Sequence, residues 1–249
     1  MKTINNYITE KLKISKSKNL EYTLFPKTKD ELEEMINKEI KQNGNNCSLN
    51  HIDVSQIDDM SDLFYFIDFD GDISQWDVSN VKDMRAMFKV SKFTGKNSDI
   101  SDWDVSNVKN MEEMFCRSNF NGNISMWDVL NVINMRDMFA GSKFNQDISN
   151  WDVSNVKTMS GMFANSDFNQ DINNWDVSNV ENMHSMFGGS SFNGDISNWN
   201  VNNVELMVSM FDNSDFNQDI SKWKINPECK TYNMFKDCKI NKKYKPQVI

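Results

Sequence analysis

Apolar side chains recur along most of the chain at a spacing of 24 residues. In the copy that begins at Trp151, they stand at the first position and then two, five, eight, eleven, twelve, seventeen and twenty-one residues later. The same pattern starts at each of the seven tryptophans, which are Trp76, Trp103, Trp127, Trp151, Trp175, Trp199 and Trp223. Ile52 begins one further copy 24 residues before Trp76. Self-similarity at a period of this length indicates a repeat protein.

Each repeat is predicted to contain a short strand followed by a short helix. Trp-x-Val alternates as a half-buried strand does, whereas Val-x-x-Met-x-x-Met-Phe has the spacing of one helix face. Ser-Asn before that run is a helix-capping signal. One repeat cannot bury its own apolar face, so the copies must stack. We therefore predict an α/β solenoid, a leucine-rich-repeat-like stack of eight 24-residue coils.

The two ends of the chain depart from the repeat and are predicted to cap it. Thr28 and Glu31 form a capping box ahead of apolar residues at helical spacing, and Gly44 supplies a stop, which predicts a capping helix over 29–42. In the last copy Pro227 interrupts the pattern and Thr231 replaces a core Met. The predicted organisation is an N-terminal segment with the capping helix (1–51), seven coils (52–222), and a degenerate last coil with a basic cap (223–249).

Polar residues also stand in columns. An Asn column at Asn121, Asn145, Asn169, Asn193, Asn217 and Asn241 is predicted to hydrogen-bond the turns of one coil to the next. There are two Asp columns: Asp77, Asp104, Asp128, Asp152 and Asp176, and Asp72, Asp99, Asp147, Asp171, Asp195 and Asp219. Stacked carboxylates repel, so each is expected to accept a backbone N–H in an Asx turn. A calcium ladder is the alternative, since hard oxygen ligands suit that ion.

Charge is distributed unevenly over the chain. The formal net charge is −9, but residues 51–222 hold eleven Lys and Arg against twenty-seven Asp and Glu, a balance of −16. This acidic body would repel a phosphate backbone and argues against nucleic-acid binding. Residues 223–249 hold seven Lys and two acids, a balance of +5. We interpret that basic end as a solvated cap, with a binding patch as the alternative.

The residues offer no catalytic constellation and imply no cofactor. There are two histidines and four cysteines, without zinc spacing, a nucleophile elbow or a phosphate loop. Neither a signal peptide nor a run of membrane-spanning length is present in the chain as given. The expectation is a non-enzymatic, cytoplasmic monomer without a membrane span.

The repeat motif resembles that of the BspA-like leucine-rich-repeat surface proteins of bacteria. It reads Phe-Asn-Gln-Asp-Ile-Ser-x-Trp-Asp-Val-Ser-Asn-Val-x-x-Met-x-x-Met-Phe. That resemblance implies a leucine-rich-repeat-like solenoid, no shared catalytic residues, and adhesion or host contact at the cell surface. A bacterial or phage surface adhesin is therefore the alternative function, and the cell surface the alternative location.

Function is expected in the positions that vary between repeats, because the core columns serve the fold. These positions lie six, seven, nine, ten, thirteen and fourteen residues after each Trp, and most hold polar residues. Apolar residues interrupt the polar surface near Trp127 and again after Trp199, and such clusters suggest contact sites. The candidate binding residues are Met126, Leu130, Ile133, Arg136, Leu206 and Val208. We predict a scaffold for binding a protein partner, with scattered surface apolarity as the alternative reading.

Overall fold

The computed structural model describes residues 21–246 and contains one α-helix, α1 (Lys29–Asn43), and one 3-10 helix (Lys242–Tyr244). Residues 1–20 of the predicted N-terminal segment and residues 247–249 lie outside the described part. Helix α1 confirms the capping-box prediction, because Thr28 Oγ1 accepts the N–H of Glu31 at 3.2 Å. Gly44 closes the helix by donating its N–H to the Ile40 carbonyl.

The repeats stack on one another through their backbones. We number them 1 to 8 from Ile52 to Trp223 and count positions from that first residue as zero. Isolated parallel bridges join position 7 of successive repeats, at Asp59, Asp83, Asn110, Asn134, Thr158, Asn182, Leu206 and Lys230. The apolar columns line one continuous core, in which Phe rings of successive repeats stack with centroids such as those of Phe139 and Phe163 5.8 Å apart. Each of repeats 2 to 7 therefore buries its apolar face against its two neighbours.

The predicted strand and helix within each coil are wrong. Among residues 21–246 the structure has no strand longer than a single bridge and no helix in any repeat, so the fold is not an α/β solenoid of strand-plus-helix coils. Backbone φ is positive at position 10 and again at position 14 of each repeat, for example 53° at Ala86 and 54° at Val90. A right-handed helix cannot contain such residues, so the Val-x-x-Met-x-x-Met-Phe run folds into consecutive tight turns.

Hydrogen bonding explains why turns replace the helix. The N–H groups of positions 8, 10, 12 and 14 donate to carbonyls of the next repeat, as Phe88 donates to Met114 at 2.9 Å. The alternate N–H groups close turns to the residue three before, as Met87 donates to Met84 at 3.2 Å. An α-helix would use all of these amides internally and leave none for the neighbouring repeat. Stacking therefore competes with helix formation for the same donors and determines the conformation.

Repeat 2 absorbs three extra residues without losing its core register, since Phe93 and Ile100 on either side are fully or almost fully buried. The loop is anchored by Ser98, whose hydroxyl accepts the N–H of Ile73 at 3.0 Å. One polar contact is lost there. Other Trp indoles donate to the carbonyl of a residue 27 positions earlier in the chain, as Trp127 does to Ile100, but Trp103 Nε1 is buried without a partner in the described residues.

Helix α1 lies on the open face of repeat 1. Leu24 accepts the N–H of Asp53, and Leu49 donates to the carbonyl of Asp72, so the segments on both sides of α1 pair with repeat 1. The helix occupies the place where a repeat would have its turns. Its Leu32 and Ile36 are buried in the common core. Within residues 21–246 no helix is both long and apolar enough to cross a membrane.

Candidate functional site

Three of the candidate residues are exposed, in repeat 4 and the turn before it. Met126 is 76% exposed, Ile133 46% and Leu130 40%. Leu130 lies in the turn that Val132 closes by donating to Val129, and Ile133 follows that turn directly. Met126 lies in the preceding turn, which Trp127 closes to Ile124. We call Met126, Leu130 and Ile133 the apolar corner.

The fold holds the apolar corner through backbone contacts to both neighbouring repeats. Ile133 donates its N–H to Lys109 and accepts the N–H of Lys157, each at 2.9 Å. The Leu130 carbonyl accepts a hydrogen bond from the Asn155 side chain at 2.9 Å. The main chain under these side chains is therefore paired, so the corner is presented on a fixed backbone.

The other candidates do not join that corner. Arg136 is engaged, because its guanidinium contacts Glu112 at 3.0 Å and Asp137 at 3.2 Å. Burial raises the pKa of the Asp137 carboxyl above its ordinary value, and the charge of Arg136 opposes that rise. Leu206 and Val208 belong to repeat 7, three repeats away, where Leu206 is half-buried and Val208 is only 8% exposed. They therefore contribute to the wall of the stack.

The sequence prediction did not include an aromatic pair in repeat 1, near the N-terminal end of the stack. Tyr65 and Phe66 stand at positions 13 and 14 of repeat 1, and their ring centroids are 6.2 Å apart. Phe66 is 74% exposed, and the Lys89 ammonium lies 5.7 Å from the centre of the Tyr65 ring. Positions 13 and 14 are variable, and most repeats hold polar or small residues there. Aromatic residues at these positions are the sequence signal by which the pair could have been predicted.

The Asp columns form Asx turns, which confirms the structural interpretation. Asp152 Oδ1 accepts the N–H of Ser154 at 3.1 Å, and Asp147 Oδ1 accepts that of Ser149 at 2.9 Å. Hydrogen bonds from Ser149 lower the pKa of Asp147, and those from Ser178 lower the pKa of Asp176. No group of three or more His, Cys, Asp or Glu within residues 21–246 is arranged to hold a metal ion. The carboxylates of the two Asp columns therefore accept backbone N–H groups at the corners of the fold.

Two Asn ladders join the repeats, and the sequence predicted one of them. In the predicted column, Asn145 Oδ1 accepts the N–H of Asn169 at 2.9 Å, and this contact recurs along the stack. A second column lies at position 4, where Asn155 and Asn179 donate side-chain N–H groups to carbonyls of the preceding repeat. Both ladders satisfy backbone groups at the corners, which would otherwise be unpaired.

The family comparison places these repeats among known sequences. Three overlapping segments, residues 30–143, 89–189 and 141–246, match one family model. Comparison with curated proteins found no match, and comparison with solved structures found none either. The matched family is a repeat family, and the likeness to BspA-like leucine-rich repeats is not confirmed by it. Because the three segments together span residues 30–246, the chain belongs to the family described as Mycoplasma protein of unknown function, DUF285.

Proposed function

We propose that the protein is a non-catalytic repeat scaffold that binds a protein partner through the apolar corner. The observation that carries this proposal is the exposure of three large apolar side chains at places where other repeats hold polar ones. In repeat 5 the residues corresponding to Met126, Leu130 and Ile133 are Asn150, Ser154 and Lys157. An exposed apolar group on an otherwise polar surface is typical of a protein contact site.

The stacked backbone suits this role. A surface that is ordered before binding loses little conformational entropy when the partner docks. Aliphatic and Met side chains then gain free energy as they leave water, about 25 cal/mol for each Å² of apolar area buried. Charged residues near the corner, such as Lys109 and Lys157, would lie at the rim of such an interface, where they favour selective association.

The test exchanges the apolar corner for its counterpart in the next repeat. The triple variant Met126→Asn, Leu130→Ser, Ile133→Lys should keep its melting temperature, because the three side chains are exposed and their replacements occur in repeat 5. A photocrosslinking residue placed at position 133 should capture one defined protein from the native host. The same residue at position 157 is the matched control and should capture much less.

Loss of the crosslinked protein when Met126→Asn and Leu130→Ser are combined with the crosslinker at position 133 supports the proposal. Equal crosslinking from positions 133 and 157, or unchanged crosslinking from position 133 in that double variant, would contradict it. A large fall in melting temperature would show that the three residues serve stability instead.

A surface adhesin of the BspA-like type is the second candidate function, and the resemblance of the repeat motif favours it. That candidate places the partner outside the cell, whereas the scaffold proposal places the protein in the cytoplasm. Fractionation of native cells, with protease added to intact cells, separates the two. Cleavage of the protein in intact cells would support the adhesin, and protection would support the cytoplasmic scaffold.

A further inference from the structure

Repeat 8 has a row of backbone donors that are unpaired within residues 21–246. In every junction between repeats, positions 8, 10, 12 and 14 of one repeat donate N–H groups to the next. The corresponding groups of repeat 8 are those of Thr231, Asn233, Phe235 and Asp237, and they have no acceptor in the described part of the chain. All four residues are exposed or half-buried. The end therefore presents four parallel donors on alternate residues.

Near this row lies a concavity in which five of the eight lining residues are lysines. It measures about 700 Å³, and its lining includes Lys222, Lys224, Lys242, Lys243 and Lys245 without any acidic side chain. Among residues 21–246 none of these five lysines has an ion-pair partner within 4.0 Å. Asp219 lies near the concavity: hydrogen bonds from Ser221, and then the charges of Lys222 and Lys243, lower its pKa.

The concavity adjoins the amide row at Lys245. The Lys245 ammonium lies 5.0 Å from the centre of the Phe235 ring, and the Phe235 N–H belongs to the row. We call the four amides and the five lysines together the terminal face. Lysines along the body of the stack are different, because several pair with an acid one repeat away, as Lys157 does with Glu181 at 2.9 Å. The unpaired lysines are therefore concentrated where the backbone donors are also unpaired.

We propose that the terminal face binds an acidic peptide segment of a partner protein, which would stack on repeat 8 as a further repeat does. Carbonyls on alternate residues of the segment would accept the four N–H groups, as the carbonyls of positions 7, 9, 11 and 13 do at the junctions between repeats. Acidic side chains of the segment would reach the lysines. The main-chain bonds supply affinity, and the charges select the acidic sequence.

A peptide fits this face better than a nucleic acid does. The amide donors recur on every second residue, and peptide carbonyls on alternate residues accept such donors at every junction between repeats. Nucleic acid would extend beyond the small basic end onto a body whose balance over residues 51–222 is −16, and it would be repelled there. The terminal face is separate from the apolar corner, so an experiment can reject one binding site without rejecting the other.

The first experiment measures binding of short labelled peptides to the full chain by fluorescence anisotropy. A peptide that alternates Glu with Thr should bind, and one that alternates Lys with Thr should not. The variant Lys242→Glu with Lys243→Glu should weaken binding about tenfold or more. The matched control is Lys96→Glu with Lys109→Glu, which makes the same charge change on the body and should alter binding less than about twofold.

The second experiment follows amide exchange by NMR with and without the Glu-Thr peptide. The N–H groups of residues 231, 233, 235 and 237 should become protected, whereas those of Met234, Lys236 and Cys238 already bond within repeat 8 and should change little. Absence of peptide binding at millimolar concentration would overturn the proposal. So would binding without the alternating protection, or equally tight binding of oligothymidylate, since either result would show attraction between charges alone.

Discussion

The outermost repeat is covered differently at the two ends of the stack. At the N-terminal end α1 covers repeat 1, and Met60 and Phe64 of that repeat are completely buried. At the C-terminal end no helix of comparable length follows repeat 8 within the described residues, and Phe235, the counterpart of Phe64, is only half-buried. The Lys245 ammonium lies 5.0 Å from the centre of the Phe235 ring.

The direction of the backbone explains what each kind of end requires. In each repeat four carbonyls face the preceding repeat and four N–H groups face the following one. The N-terminal end is covered by a helix, which satisfies its own main chain and brings the apolar side chains Leu32 and Ile36. At the C-terminal end the four N–H donors of repeat 8 have no acceptor within residues 21–246. The difference shows that a helix covers one end, whereas the described residues leave the backbone donors of the other end unpaired.

The largest expected effect compares the middle of the Phe column with its open end. Phe139→Ala should lower the free energy of unfolding by about 3–5 kcal/mol, since its ring is buried between Phe115 and Phe163. Phe235→Ala should cost about 1 kcal/mol, because that side chain is half-buried and stacks on Phe211 alone. Urea denaturation followed by Trp fluorescence measures both. Equal losses at the two sites would show that the C-terminal end is as closely packed as the middle.

A smaller effect is expected at the N-terminal cap. Thr28→Ala removes the hydroxyl that accepts the Glu31 N–H and should cost about 1 kcal/mol. The loss should appear locally, as faster amide exchange in α1 and repeat 1 with repeats 5 and 6 unchanged. Thr28→Ser keeps the hydroxyl and is the control. Unchanged exchange in repeat 1 after Thr28→Ala would mean that the helix does not protect that end.

The smallest effect concerns acid sensitivity. Asp147 and Asp219 both have pKa values lowered from the ordinary 3.8, mainly by hydrogen bonds from the Ser two residues later. A lowered pKa stabilises the fold above 3.8, and that stabilisation is lost as the pH falls through the folded-state value. Asp147→Asn and Asp219→Asn should therefore each show a smaller fall of melting temperature on acidification than the parent chain. A steeper fall in either variant would contradict the assigned cause.

The difference between the two variants tests the terminal face. Lys222 and Lys243 contribute to the lowered pKa of Asp219, whereas Asp147 owes its shift to hydrogen bonds without a lysine. High salt should therefore reduce the acid sensitivity contributed by Asp219 more than that contributed by Asp147. Melting curves at low and high salt measure this difference.

Much of the site could be recognised from the sequence because it consists of exceptions to the repeat. Met126, Leu130 and Ile133 replace polar residues of other repeats, and the structure leaves all three exposed. Val208 also looks like such an exception, but the small residues of position 9 lie against the stack, and the structure buries it. A pattern shows which position is unusual, whereas the exposure of a side chain depends on the local backbone.

The sequence by itself determined the repeat register, the core columns, the capping helix and the Asx turns, because each depends on residue identity at a fixed spacing. Trp, Val, Met, Phe and Ile at those spacings occupy the buried columns of the structure. Only the tertiary structure decided that the Met-x-x-Met-Phe run forms turns, since its amides are shared between two repeats and the neighbour takes every second one. It likewise decided the terminal face, because a donor is unused there only where no further repeat is stacked in the described chain.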